Sequence, residues 1–223
     1  MKYVVSQGQL QVLIALCGIG QFPFLGQPRG MKDAEMIQAI ARLYRVGCLE
    51  EQQGRMKPVP PLEALLQRMA SAETVIRFWF GDHQPLQHLV CPVGRDEMVI
   101  LEKAAYTEEP VFKLWQEPAV NYLHDLFEVE LLPRCLTRDR EEARALEELA
   151  WQQNPPEQQD LRPLLRVERT RARTGCRESQ VEVGQSSVFT WICCRWDGTE
   201  MYHLYSEEEL AELLLKEMRG NTQ

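Results

Sequence analysis

Histidine and cysteine are the side chains here best suited to ligating a metal or to pairing as nucleophile and base. The chain has four histidines, His83, His88, His124 and His203, and seven cysteines, Cys17, Cys48, Cys91, Cys135, Cys176, Cys193 and Cys194. The histidines stand apart, in no HExxH or HxH spacing, and the cysteines make no CxxC or CxxH pair. In a strand, the neighbours Cys193 and Cys194 point to opposite faces and cannot share one ion. An odd cysteine count without metal spacing predicts reduced thiols, in keeping with a cytoplasmic protein. Gly18-Ile19-Gly20 lacks the third glycine and the preceding buried strand of a dinucleotide site, and no GxxxxGK occurs. The expectation is a non-enzymatic protein with no cofactor and no metal. His124 falls on the polar side of a helix over Ala119 to Glu128, and Glu207-Glu208-Glu209 complements a helix N-terminus.

Cationic residues remain. Lys32, Arg42, Arg45, Arg55 and Lys57 fall on or beside a helix and a hairpin, where a winged-helix reader of DNA would place phosphate contacts. Asp33, Glu35, Glu50 and Glu51 nearly cancel them, so duplex binding is the alternative reading and a protein partner the preferred one. Arg166 to Arg173 reads as a strand with Arg169, Arg171 and Arg173 on one face. That row suits either a charged sheet edge that blocks aggregation or a docking surface for an acidic partner.

Composition bounds these readings. In 223 residues, 44% are hydrophobic and 26% charged, ordinary for a folded chain able to bury its own core. A net charge of −8 and a pI near 5.2 weigh against nonspecific nucleic-acid binding, which needs a Lys/Arg surplus. The longest apolar run, Val12 to Cys17, is far below the roughly 20 residues of a membrane span. No small-residue cleavage site follows that run, so a signal peptide is a poor fit.

The elements that must carry these residues form an α+β pattern, with a winged-helix-like unit at 1–70 and an α+β region at 71–223. Ser6 and Gln9 read as a capping box before Leu10, Leu13, Ile14 and Cys17. After the loop Phe22 to Pro28, Asp33 is expected to cap a second helix, with Met36, Ile37, Ile40, Leu43 and Tyr44 as its buried stripe and Gly47 as its stop. Gln53-Gly54 is the turn of a hairpin, the wing, and Pro60-Pro61 opens a helix carrying Leu62, Leu65, Leu66 and Met69. A shift of 90 positions aligns Phe112-Lys113-Leu114-Trp115 with Tyr202-His203-Leu204-Tyr205. It also aligns Met98 to Leu101 with Val188 to Trp191, and Val75 to Phe78 with Leu165 to Glu168. The shared register predicts two related strand-and-helix halves, 75–127 and 164–218, in a mostly antiparallel twisted sheet with an internal pseudo-two-fold repeat. A helix over 139–153, begun by Asp139 and Glu142, joins them and stops before Pro155-Pro156. Ser206 and Glu209 cap the last helix, through Leu210, Leu213, Leu214 and Met218 to Gly220.

The pattern resembles the EspG family, cytosolic chaperones of mycobacterial type VII secretion. The resemblance is carried by Leu10 to Cys17 with Gly18 and Gln21-Phe22-Pro23-Phe24-Leu25, by the segment Leu43 to Leu66, and by Arg195-Trp196-Asp197-Gly198 before a strand and a leucine-rich helix. It implies a non-enzymatic adaptor that shields the helical tip of a secretion substrate. No invariant motif transfers a binding residue. The Arg-rich strand and the paired cysteines depart from that family's pattern.

Overall fold

The computed structural model describes residues 1–22, 30–81, 87–104, 110–133, 162–185, 190–196 and 198–219. His83, Cys135 and the expected helix over 139–153 lie outside the described residues. The elements are β1 (Tyr3–Ser6), α1 (Gln7–Leu16), α2 (Asp33–Arg45), β2 (Leu49–Gln52), β3 (Arg55–Pro58), α3 (Pro60–Ala70), β4 (Thr74–Phe80), β5 (Gln87–Pro92), β6 (Glu97–Ala104) and β7 (Val111–Pro118), followed by α4 (Ala119–Glu128), β8 (Arg162–Arg171), β9 (Arg177–Gln185), β10 (Thr190–Trp196), β11 (Thr199–Leu204) and α5 (Glu207–Arg219). This is an α+β fold in which four strands and a helix, β4 to α4, are followed in the chain by four strands and a helix, β8 to α5.

The chain forms two compact units, one of residues 1–75 and 85–118, the other of residues 76–84 and 119–223. In the first, strands run β1-β7-β6-β5 and pair antiparallel throughout, with Tyr3 opposite Leu114 and Ile100 opposite both Trp115 and Val90. The strand β1 is an addition to the expected elements, since four residues of Tyr-Val-Val-Ser carry too short an alternation to stand out. It is continuous with α1 because Ser6 ends the strand and caps the helix. The Ser6 N–H donates to Gln9 Oε1 at 2.8 Å while the Gln9 N–H donates to Ser6 Oγ at 3.4 Å, the reciprocal box expected there.

α2 starts one residue earlier than expected. Lys32 is its N-cap and donates its N–H to the Glu35 carboxylate at 3.2 Å, whereas Asp33 is the first helical residue, where its charge complements the helix dipole. In the hairpin β2-β3, Gln53 and Gly54 both have positive φ, 54° and 75°, the conformation a two-residue primed turn demands. α3 inserts Leu62, Leu65, Leu66 and Met69 into the core, each worth roughly 1.5–3 kcal/mol of apolar burial.

In the second unit the order is β4-β8-β9-β10-β11, with β8 through β11 a simple antiparallel meander. One sheet face carries Leu165, Val181, Val183, Ile192 and Cys194, all buried. α4 contributes Tyr122, Leu123 and Leu126, with Phe78 meeting Tyr122 edge-on at 5.6 Å, and α5 contributes Leu210, Leu214 and Met218. No helix among the described residues is long and apolar enough to cross a membrane.

Candidate functional site

Of the described cysteines, Cys48, Cys91, Cys193 and Cys194 are buried, Cys17 is half-buried and Cys176 is exposed. Cys193 and Cys194 do point to opposite faces of β10: Cys193 lies opposite Glu182 and Tyr202, Cys194 opposite Val181 and Met201. Burial, aided by the Glu200 carboxylate 3.4 Å away, pushes the Cys193 thiol up to about 12. Burial alone pushes Cys91 to about 12, and burial followed by neighbouring charge raises Cys194 to about 12 and Cys17 to about 11. At neutral pH these four are thiols, not thiolate nucleophiles. Among the described residues no group of three or more His, Cys, Asp or Glu side chains could hold a metal ion. His124 is exposed on α4, and His203 Nδ1 lies 3.0 Å from the Glu209 carboxylate.

Two clefts are lined by polar groups. One, of about 510 Å³, lies where α1 begins beside α2 and presents Gln7, Gln9, Gln38, Glu35 and Arg42. The other, of about 330 Å³, is walled by Arg177, Arg195, Glu178 and Glu200, whose charges cancel. Ser179 also lines the second cleft, and its hydroxyl donates to the buried Glu217 carboxylate.

The five cations considered for DNA are all exposed. Lys32 stands at the start of α2, Arg42 and Arg45 in its last turn, and Arg55 and Lys57 on β3. Acidic residues are interleaved with them. Lys57 lies opposite Glu50 in the hairpin, and Asp33 and Glu35 occupy the first turn of α2. The stripe expected to be buried on α2 is largely not buried: only Ala39 and Leu43 are inside, while Met36, Ile37 and Tyr44 are 41%, 66% and 54% exposed. Helical spacing groups apolar side chains on one face but does not say whether a neighbour covers that face.

The three arginines of the β8 region do not form the expected row. β8 ends at Arg171, and Arg173 sits exposed in the turn to β9. A register irregularity between Arg169 and Thr170 further breaks the alternation. β8 is flanked by β4 and β9, so the sheet-edge reading of these charges is corrected as well.

What the geometry does join is Arg169 and Arg171, whose Nε atoms donate to the two oxygens of Glu178 at 3.1 and 2.6 Å. Those hydrogen bonds, Arg171's foremost, hold the Glu178 carboxyl below the ordinary range. Arg169 also donates to the backbone carbonyl of Glu217 in the last turn of α5, where helix carbonyls have no intrahelical partner. This side chain is a C-terminal cap. Replacing Arg169 by Ala should therefore cost about 1–2 kcal/mol in urea unfolding, whereas Arg173→Ala should stay within about 0.5 kcal/mol. Equal effects would refute the cap.

A charge ladder across β8 to β11 accompanies them. Arg166 reaches Glu182 at 3.6 Å, Arg195 reaches Glu182 at 3.9 Å and Glu200 at 2.7 Å, and Arg177 reaches Glu168 at 3.6 Å. The alternation Glu178, Gln180, Glu182 in β9 was the available signal for it. Such half-exposed pairs contribute little stability individually, but they satisfy most of the arginines of this sheet internally.

The fold has a counterpart among solved structures. The M. tuberculosis type VII secretion system chaperone EspG5, in a structure of its complex with the PE25–PPE41 dimer, superposes with a TM-score of 0.63. The alignment spans 98% of this chain and 95% of that one at 10% sequence identity, so the two share an architecture end to end. By sequence, no family model and no curated protein matches the chain.

Proposed function

We propose that this protein is a non-enzymatic adaptor or chaperone that binds another protein, in the manner of a secretion-substrate chaperone acting in the cytoplasm. The observation that carries the reading is the correspondence of nearly the whole chain with a chaperone whose structure contains a bound protein dimer. For the docking charges, the reading now favours Arg171, whose side chain is 68% exposed, and the exposed Arg173, because Arg169 is committed to α5.

Exposed charges at an interface mainly accelerate association and lose influence in salt. Purification from the native host should yield a protein partner at a fixed ratio. That partner should associate with the Arg171→Gln/Arg173→Gln variant about threefold to tenfold more slowly at low salt, with the gap closing at high salt. A preparation that carries no partner and instead enriches one duplex sequence, lost on changing Arg42 and Arg45 to Ala, would replace the adaptor with a winged-helix regulator.

A further inference from the structure

Among the described residues, β11 pairs with β10 alone and ends its sheet. In the other unit β7 has the same local setting, the last strand of an antiparallel meander that leads into a helix, but it is paired on both sides, by β6 and by β1. A shift of 90 positions sets Phe112 and Lys113 of β7 on Tyr202 and His203 of β11. Burial differs as the neighbours do: Phe112, opposite Val5 of β1, is buried, whereas Tyr202 is half-buried.

We propose that β11 is the counterpart of β7 and that its outer edge takes what β1 gives to β7, a short antiparallel strand. The strand is an extended segment of another protein, with a lysine or arginine opposite Glu200. This goes beyond the adaptor reading, since such a segment can add to the edge whatever the larger role of the protein.

The phase of the backbone is set at Tyr205, whose N–H donates to the Thr190 carbonyl at 3.0 Å. Counting back by twos, His203, Met201 and Thr199 turn their N–H and C=O groups towards β10. The alternate residues turn theirs outward, which makes the edge a template for strand addition.

The side chains select the segment. Glu168, Gln180, Arg195 and Glu200 stand opposite one another from β8 to β11. Arg195 donates to Glu200 at 2.7 Å, and Glu200 and its neighbour Met201 are both exposed. A cation on the added strand continues that alternation of charge, and an apolar residue just before it covers Met201. Self-pairing supplies no such cation. Residues opposite each other share a sheet face, so β11 against a two-fold copy of itself pairs even-numbered positions with even, and Glu200 meets Glu200, Tyr202 or Leu204.

The probe is a blocked peptide, Tyr-Thr-Val-Val-Lys, which in the antiparallel register sets its valines opposite Tyr202 and Met201 and its lysine opposite Glu200. It should bind the full chain with a Kd of about 30–300 µM. N-methylation of the first valine, whose N–H is directed at β11, should weaken binding at least ~10-fold, and N-methylation of the second, whose N–H points away, by less than about twofold. Exchanging the lysine for glutamate should weaken binding about threefold to tenfold, and Glu200→Lys should reverse the order of the two peptides, a coupling that a folding defect cannot mimic. No binding at ~2 mM peptide overturns the proposal, as does equal sensitivity to the two methylations, the mark of apolar contact without strand pairing. Self-association of the full chain that the peptide reverses would make a second copy the occupant and overturn it as well.

Discussion

Lowering the pH from about 6.5 to 3.5 should strip roughly 4 kcal/mol from the unfolding free energy through one side chain, His88. Burial, followed by the charges of Lys113 and Lys2, lowers its pKa from the ordinary 6.5 to about 3. The ring is 3% exposed and meets Trp115 edge-on at 6.2 Å. The Glu102 carboxylate lies 3.8 Å from Nε2, but it already pairs with Lys113 at 2.6 Å and with Lys2 nearby offers little to an imidazolium. In the unfolded chain the ring takes a proton below about 6.5, whereas in the native state it stays neutral to about 3. The unfolded state therefore binds more protons throughout that window, and stability falls by about 1.4 kcal/mol for each pH unit descended.

His88→Phe keeps the aromatic contact and removes the titration. The wild-type and variant stability curves should run parallel above about pH 7 and diverge below it. Parallel curves down to pH 4 would refute the assignment, and so would an imidazole titration by NMR centred near 6, which needs no variant at all.

Glu217 should show the second large effect, about 3 kcal/mol for Glu217→Leu and about 1 kcal/mol for Glu217→Gln. It lies on the buried stripe of α5 with 5% exposure, and each oxygen accepts a hydrogen bond, from Ser179 Oγ and from Trp196 Nε1 at 2.9 Å. Leucine fits the stripe by polarity but leaves both donors unpaired, and a buried orphan donor costs more than the apolar contact returns. Glutamine preserves the shape and one good acceptor. A double-mutant cycle with Ser179→Ala should give a coupling of at least ~1 kcal/mol. A leucine variant as stable as the wild type would mean that α5 is held by Leu210, Leu214 and Met218 alone.

Much of the helical framework was legible because local chemistry specifies it. The Ser6 box, Pro60-Pro61, the Gln53-Gly54 turn and the bounds of α4 need only neighbouring residues, and all appear where expected. The failures share one cause, the need to know what lies across the gap. Met36, Ile37 and Tyr44 have the spacing of a core stripe, yet small Ala39 takes the inner position. Arg173 has strand parity with Arg171, yet the chain turns first. Glu217 reads as a break in an apolar pattern until Ser179 and Trp196, distant in sequence, supply its partners. Among the candidate docking residues, composition found the arginines but could not distinguish Arg169, which ties down a helix, from Arg173, which is exposed to solvent.

The pairing of β1 with β7 has a consequence for how the molecule is made. Tyr3 must find Leu114, so β1 has no partner strand until more than a hundred further residues have been translated. At about 5–20 residues per second, plus the delay of clearing the ribosomal tunnel, that is an interval of roughly 5–20 s or more. During that interval Tyr3, Val5 and the buried leucines of α1 remain uncovered on the nascent chain, well placed to recruit ribosome-associated factors. Slowing translation between the codons for Ser6 and Pro118 should therefore lower soluble yield more than slowing it afterwards, with final stability unchanged.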